Sequence, residues 1–220
     1  MERKILLIDD HAVVRGGLRA ALAAAIRSSE IFEAATARDG IRMIEQEPYD
    51  VVILDLTLPD MNGIEALKSI RGLRPKMPVI IFSMHSDREY CLRCLKAGAR
   101  GYVTKDGAAE EITQAVSAVL AGRRYVARHL ADHLMGMLLE DDGRPPHHGL
   151  SDREFEVLCL LGSGKTVSEI GLHLCLSVKT VSTYRARLLE KLSLDNNAQI
   201  MRYTLEHGLV PAGHRPGPEN

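Results

Sequence analysis

Polar side chains that suit metal binding and phosphoryl chemistry follow four short apolar runs in the first half of the chain. These side chains are Asp9, Asp10, Asp55, Ser83 and Lys105. Three carboxylates at one site repel each other and need a cation, and an all-oxygen ligand set suits Mg²⁺. A carboxylate is also a nucleophile toward phosphorus, and Mg²⁺ and a lysine neutralise the charge of the transferred group. The residue types therefore indicate a magnesium-dependent site of phosphoryl transfer.

These side chains can meet only if the apolar runs are parallel strands of one sheet. Strand-like runs alternate with helical patterns up to residue 122, which predicts an α/β doubly wound, five-stranded parallel sheet. The predicted strands are residues 4–8, 31–36, 51–54, 79–82 and 101–104. Ligands of such sheets bind beyond the carboxyl ends of the strands. Asp55 is the predicted nucleophile because it ends the central strand, with Asp9 and Asp10 beside it as metal ligands.

The remainder of the chain lacks strand-like runs. Residues 141–149 (DDGRPPHHG) predict a flexible joint because they are rich in charged residues, proline and glycine. The predicted organisation is a first domain at residues 1–122, a linker helix and flexible joint at 123–148, an all-α four-helix domain at 149–212 and a disordered tail at 213–220.

Residues 166–192 predict two helices separated by a break at residues 175–177. In the second helix, apolar residues recur on one face from Val181 to Leu192, as in a helix packed against a core. The residues expected to bind DNA are Lys179, Thr180, Ser182, Thr183, Arg185 and Arg187. Small side chains permit close approach to base edges, and flanking cations can bind phosphates. From periodicity alone, an ordinary amphipathic helix of a bundle remains an alternative.

Composition and charge narrow the class of protein. The 220 residues are 45% apolar and 26% charged, and no apolar run approaches the roughly 18 residues of a membrane span. The N-terminus becomes acidic after five apolar residues, too few for a signal peptide, so we expect a cytoplasmic protein. Residues 149–220 hold 8 basic and 8 acidic side chains. This neutral balance argues against strong non-specific DNA binding, whereas the basic cluster of residues 179–191 favours it.

The motifs LIDDH, DLTLPDMNG and GYVTKD, with the serine after the fourth run, resemble a receiver domain of the two-component response regulators. The motifs LSDREFEVLCLL and LSVKTVSTYRARLLEKL resemble the LuxR-type helix-turn-helix of the NarL/FixJ response regulators. The resemblance implies that Asp55 is the phosphoacceptor. It also implies metal binding by Asp9, Asp10, Asp55 and the Thr57 carbonyl, phosphoryl contacts from Ser83 and Lys105, and an inward movement of Tyr102.

The implied function is phosphorylation-dependent transcriptional regulation. Asp55 would accept a phosphoryl group from a sensor histidine kinase with Mg²⁺, and phosphorylation would control homodimerisation and binding to double-stranded DNA. Release of the recognition helix from the receiver is an equally open route. Ser182 replaces a frequent lysine and Ala186 a frequent polar residue of the family, so we expect modest non-specific affinity.

Two alternatives belong to other classes. An aspartyl phosphatase needs a second aspartate two residues after the nucleophile, where this chain has Thr57. We therefore expect no enzyme activity apart from phosphorylation and dephosphorylation at Asp55. The other alternative is a phosphorylation-regulated adaptor that binds a protein instead of DNA.

Overall fold

The computed structural model describes residues 3–84, 88–107, 109–127, 130–131 and 145–210. The chain divides into two compact units, residues 1–136 and 137–220. The predicted disordered tail and most of the predicted linker helix and joint lie outside the described residues. Among the helices that are described, none is both long and apolar enough to cross a membrane.

The first unit is built on a parallel sheet with the strand order β2-β1-β3-β4-β5-β6. The strands are β1 Arg3–Ile8, β2 Ser29–Ala34, β3 Val51–Leu54, β4 Val79–Ser83, β5 Gly101–Thr104 and β6 Tyr125–Val126. The helices are α1 Ala12–Ala25, α2 Ala37–Gln46, α3 Gly63–Leu73, α4 Arg88–Lys96 and α5 Ala109–Leu120. All neighbouring strands are parallel, which confirms the predicted doubly wound α/β class.

The central strands are buried along their whole length because helices cover both faces of the sheet. On one face, Ile5, Leu7 and Ile53 pack in a core with Leu22 of α1 and Val116 of α5. The opposite face carries further fully buried residues of the same strands, such as Leu6 and Leu54. This double coverage explains why the strands appear in the sequence as continuous apolar runs.

Two details of the predicted sheet were wrong. The second strand lies two residues earlier than predicted, because Thr36 caps α2 and accepts a hydrogen bond from the Asp39 amide at 3.1 Å. A sixth strand, β6, stands where the sequence predicted a helix from residue 123. It pairs with β5 through the Tyr125 amide, which donates to the Arg100 carbonyl at 3.0 Å. A two-residue edge strand is too short to give a periodic signal, although Tyr and Val favour strands. Residues 130–131 are helical.

The described residues of the second unit, 145–210, form helices and loops. Its helices are α6 Asp152–Gly162, α7 Val167–His173, α8 Val178–Leu192 and α9 Asn197–Glu206. Capping boxes at Ser151–Glu154 and Thr166–Glu169 begin α6 and α7. The core contains buried residues from α6, α8 and α9, including Phe155, Leu188 and Ile200. The predicted four-helix domain is therefore confirmed.

The predicted flexible joint was wrong at residues 146–149, which form a short 3-10 helix. His147 of this helix is only 4% exposed, and its Nδ1 lies 2.8 Å from the Tyr203 hydroxyl of α9. Its ring also packs against His207 and Phe155. The polar composition of PPHHG concealed this burial, because a histidine ring has an apolar body that can pack in a core as well as nitrogens that form hydrogen bonds.

Candidate functional site

The acidic residues meet at the edge of the sheet where the strand order reverses. Strands β1 and β3 are neighbours with Ile8 opposite Leu54, so the residues after them emerge side by side. The Asp55 amide donates to the Ile8 carbonyl at 2.9 Å, and the Lys105 amide donates to the Ser83 carbonyl at 2.8 Å. Backbone hydrogen bonds therefore fix where these side chains begin, at the position where open parallel sheets bind ligands.

Lys105 is held between two buried carboxylates. Its Nζ lies 2.6 Å from Asp9 Oδ2 and 2.7 Å from Asp55 Oδ2. Asp9 is 3% exposed and Asp55 is 2% exposed. A buried charge costs several kcal/mol unless it is paired, so the three side chains depend on one another. We call Asp9, Asp10, Asp55 and Lys105 the acidic pocket.

The environment shifts the pKa of both partners of this ion pair. Burial raises the pKa of Asp55, and the hydrogen bond from Lys105 offsets that rise in part. Burial opposes the charge of Lys105, but its interactions with Asp55 and Asp9 outweigh burial and raise the pKa of the ammonium. The carboxylate of Asp55 therefore depends on nearby positive charge to remain ionised.

The acidic pocket fits a divalent cation. Single ligand atoms of Asp9, Asp10, His11 and Asp55 lie within 4.8 Å of one another. Three carboxylates and one ammonium leave two formal negative charges, which one Mg²⁺ would balance, and carboxylate oxygens are ligands that Mg²⁺ prefers. His11 was not among the residues predicted from the sequence, although it directly follows the two aspartates in LIDDH. Its Nδ1 lies 3.4 Å from Asp9 Oδ1.

The loop after β3 is held by contacts that the sequence analysis did not predict. The Thr57 amide donates to Asp55 Oδ1 at 3.2 Å, and Thr57 pairs with Asn62 in an isolated β-bridge. Asn62 also caps α3 through its side chain. The next residue must be glycine, because a Cβ on Gly63 would lie 2.3 Å from the Leu56 Cα. This close packing keeps the Thr57 backbone beside Asp55.

The predicted switch residues lie inside the first unit. Ser83 and Tyr102 are both fully buried. Ser83 is the last residue of β4 and pairs with Thr104, which is the last residue of β5 and directly precedes Lys105. Met84, which follows Ser83 in the chain, is 70% exposed.

The second unit contains the predicted helix-turn-helix in α7 and α8. The turn between these helices is tight: Cys175 has a positive φ of 52°, and a Cβ on Gly171 would lie 2.9 Å from the Leu176 carbonyl oxygen. Ser177 then caps α8 by accepting a hydrogen bond from the Thr180 amide at 3.1 Å. Val181 and Leu188 bury one face of α8, which leaves the opposite face to solvent.

The residues predicted to bind DNA lie on this exposed side of α8. The exposed ones are Lys179, Ser182, Thr183 and Arg187, together with Ala186, whereas Thr180 and Arg185 are partly exposed. Arg185 Nε donates to Asn197 Oδ1 of α9 at 2.6 Å. Lys191, part of the basic cluster in the sequence, binds the buried Glu154 of α6 at 2.7 Å. Two cations of the basic cluster, Arg185 and Lys191, therefore bind side chains of their own domain.

Comparison with known proteins defines the class. Residues 5–117 match the family described as "Response regulator receiver domain", and residues 148–204 match "Bacterial regulatory proteins, luxR family". The chain therefore belongs to the two-component response regulators that carry a receiver domain and a LuxR-type DNA-binding domain.

Individual relatives resemble the whole chain. It is 30% identical over 209 residues to the response regulator UvrY of Escherichia coli (strain K12), covering 94% of this chain and 96% of UvrY. It is 34% identical over 207 residues to the transcriptional regulatory protein MctR of Rhizobium johnstonii, covering 94% and 95%. The structure of two RcsB dimers bound to two parallel DNAs shares 25% identity and a TM-score of 0.59, covering 93% of this chain and 98% of that one. The predicted NarL/FixJ-type regulator of transcription is confirmed.

Proposed function

We propose that Asp55 accepts a phosphoryl group from a sensor histidine kinase, and that phosphorylation controls dimerisation and operator binding. One observation carries the first step: Asp55, which directly follows the central strand β3, is buried and binds Lys105 at 2.7 Å beside a second carboxylate. A carboxylate oxygen of Asp55 forms the new bond to phosphorus while the bond from phosphorus to the donor breaks. Lys105 and the Ser83 hydroxyl then stabilise the transferred phosphoryl oxygens.

Mg²⁺ fits this role through Asp9, Asp10, Asp55 and the backbone carbonyl of Thr57. When bound, the ion neutralises negative charge on the carboxylates and on the phosphoryl group. Lys105 binds two carboxylates in the described structure, which supports the proposal that its ammonium pairs with a phosphoryl oxygen on Asp55. Movement of Ser83 toward that oxygen would make room for Tyr102, which is the proposed signal to the rest of the receiver.

The output of the protein is DNA binding through α8. Lys179, Thr180, Ser182, Thr183, Arg185 and Arg187 are the proposed contacts. The proposed domains are a receiver, predicted at residues 1–122 and extended by β6 Tyr125–Val126, and a DNA-binding domain, predicted at 149–212 and extended by the short 3-10 helix that begins at Pro146. A single domain of this size contacts one half-site, so two domains joined in a dimer gain affinity through effective concentration. RcsB is described as dimers on DNA, and we propose the same assembly for this chain.

The proposed phosphoacceptor is tested by incubating the full-length protein with acetyl phosphate and Mg²⁺ and measuring its intact mass. We expect one phosphoryl group on the wild type and none on Asp55→Asn. Asp50→Asn is the matched control, because Asp50 lies before β3 and binds Arg3 and the Lys4 amide. Equal phosphorylation of Asp55→Asn and the wild type would reject Asp55 as the acceptor.

A further inference from the structure

We propose that α8 recognises its operator through the 5-methyl groups of thymines, which contact Val178, Thr183 and Ala186. The ligand class is then a half-site rich in A·T base pairs, read in the major groove. This assignment depends on the proposed DNA-binding role of α8 and adds the chemistry by which bases are distinguished.

The side of α8 that the core leaves uncovered carries methyl groups. Val178, the first residue of the helix, is 52% exposed, and Thr183 and Ala186 are also exposed. Val178, Ser182 and Ala186 are spaced four residues apart, so they follow one another along the helix. Recognition helices place their N-terminal residues against base edges, where an exposed valine would find an apolar partner.

Several polar groups of α8 already have partners within the domain. The Thr183 hydroxyl donates to the Lys179 carbonyl at 3.0 Å, so its methyl group remains for an outside contact. The Thr180 and Ser177 hydroxyls bind each other at 2.8 Å. Arg185 is held by Asn197 through its Nε. These side chains therefore contribute fewer free donors to base recognition than their types suggest.

Apart from Lys179, the outermost positions of α8 lack the side chains that recognise bases by paired hydrogen bonds. Arginine or lysine binds guanine in this way, and asparagine or glutamine binds adenine. Positions 179, 182, 183 and 186 hold Lys, Ser, Thr and Ala. Lys179 can bind one guanine or a phosphate, but the side chains at the other three positions are small. Thymine is the base that presents a methyl group in the major groove, and Ala and Thr methyl groups contact it.

The test compares a thymine duplex with its uracil counterpart, which differs only by the methyl groups. Duplexes that the full-length protein binds after incubation with acetyl phosphate and Mg²⁺ are first enriched from a random pool, and one is then synthesised with deoxyuridine at every thymidine position. Each lost methyl contact lowers affinity about fourfold, so we expect wild-type protein to bind the uracil duplex about tenfold or more weakly. Val178→Ala should reduce that ratio, because it removes one partner of the methyl groups.

Lys179→Ala is the control variant. It should weaken binding to both duplexes by the same factor and leave the thymine-to-uracil ratio unchanged, since an ammonium does not recognise a methyl group. Thermal unfolding of each variant verifies that the domain is intact.

Equal wild-type affinity for the two duplexes would overturn the methyl readout while leaving DNA binding established. An unchanged ratio in Val178→Ala would overturn the role of that residue. Failure to enrich any duplex would instead reject the proposed DNA contacts, and the readout with them.

Discussion

The acidic pocket and the exposed side of α8 use charge in opposite ways. In the pocket, an ammonium and two carboxylates are almost fully buried, and the ammonium lies 2.6 and 2.7 Å from the two carboxylates. On α8, the predicted DNA contacts are exposed or partly exposed, and two of the nearby cations, Arg185 and Lys191, bind residues of the same domain. The pocket is thus organised before any ligand arrives, whereas the helix surface depends on its partner for most of its interactions.

This difference predicts that substitutions at the phosphorylation site and substitutions on the DNA-binding helix have different effects. Buried charges interact strongly because little water screens them, and exposed charges are worth about 0–1 kcal/mol per pair. Substitutions in the pocket should therefore have large effects on both stability and phosphorylation. Substitutions on α8 should leave the fold intact and alter binding in small steps.

The largest expected effect comes from Lys105→Met, which leaves the carboxylates of Asp9 and Asp55 facing each other without a cation. Breaking a buried ion pair costs about 3–5 kcal/mol, and we expect that loss in the free energy of unfolding at neutral pH without Mg²⁺. Burial raises the pKa of Asp55, so the loss should shrink as the pH falls through that raised value and the carboxyl becomes neutral.

Urea unfolding of Lys105→Met at neutral pH and at about pH 5 measures this effect. Lys76→Met, at an exposed lysine, is the control and should cost almost nothing. Equal stability of Lys105→Met and the wild type at both pH values would show that the pocket is not organised by this ammonium.

The second prediction concerns the loop that holds Asp55. Gly63→Ala would place a Cβ 2.3 Å from the Leu56 Cα, and we expect a cost of about 1–3 kcal/mol from overpacking, together with slower phosphorylation by acetyl phosphate. The matched control is Gly72→Ala in the same helix α3, where an added Cβ meets no atom within 4 Å. That variant should be stabilised by roughly 0.5–1 kcal/mol. Urea unfolding and the rate of phosphoryl incorporation check both, and equal behaviour of the two variants would contradict the proposed close packing.

A smaller loss of stability is expected at Glu154, a buried carboxylate in the second unit. Burial opposes the ionisation of Glu154, but hydrogen bonds from Lys191 and Ser151 outweigh it and lower the pKa of this carboxyl. Glu154→Gln removes the ion pair and weakens the cap of α6, so we expect a loss of about 1–2 kcal/mol. The loss should be present above the ordinary pKa of glutamate and fade as the pH falls through the lowered value. Glu206→Gln, at an exposed pair, is the control in chemical unfolding, and a loss as large there would contradict the account.

The smallest effect should come from the exposed side of α8. Arg187→Ala should leave stability unchanged and reduce by about 1 the slope of log affinity against log salt, because one phosphate contact is lost. Arg202→Ala on α9 should leave the slope unchanged. Binding measured over a range of salt concentrations tests this prediction, and an unaltered slope for Arg187→Ala would place that residue away from the phosphates.

The sequence predicted the sheet class and the meeting of Asp9, Asp55 and Lys105 because both follow from one rule. Parallel strands direct their carboxyl ends to the same edge, so polar residues that follow the strands beside the switch point are expected to lie close together. The four-helix domain could also be predicted, because capping boxes such as Ser151–Glu154 mark in the sequence where helices begin.

Other features depend on contacts between distant residues and had no local signal. The burial of His147 arises from Tyr203 and His207, more than fifty positions later in the chain. The restraint of Arg185 by Asn197 depends on how α8 and α9 pack. The edge strand Tyr125–Val126 was hidden by its length. The roles of His147 and Arg185 therefore depend on tertiary packing, which their polar residue types do not indicate.

The most direct test of the central claim measures operator binding before and after phosphorylation. Wild type and Asp55→Asn are each incubated with acetyl phosphate and Mg²⁺, and their affinity for an inverted repeat of the enriched half-site is determined together with their sedimentation. Phosphorylated wild type should sediment as a dimer and bind at least about tenfold more tightly than Asp55→Asn, since joining two half-site contacts raises the effective concentration. Equal affinity and equal sedimentation of the two proteins would contradict the claim that Asp55 controls DNA binding.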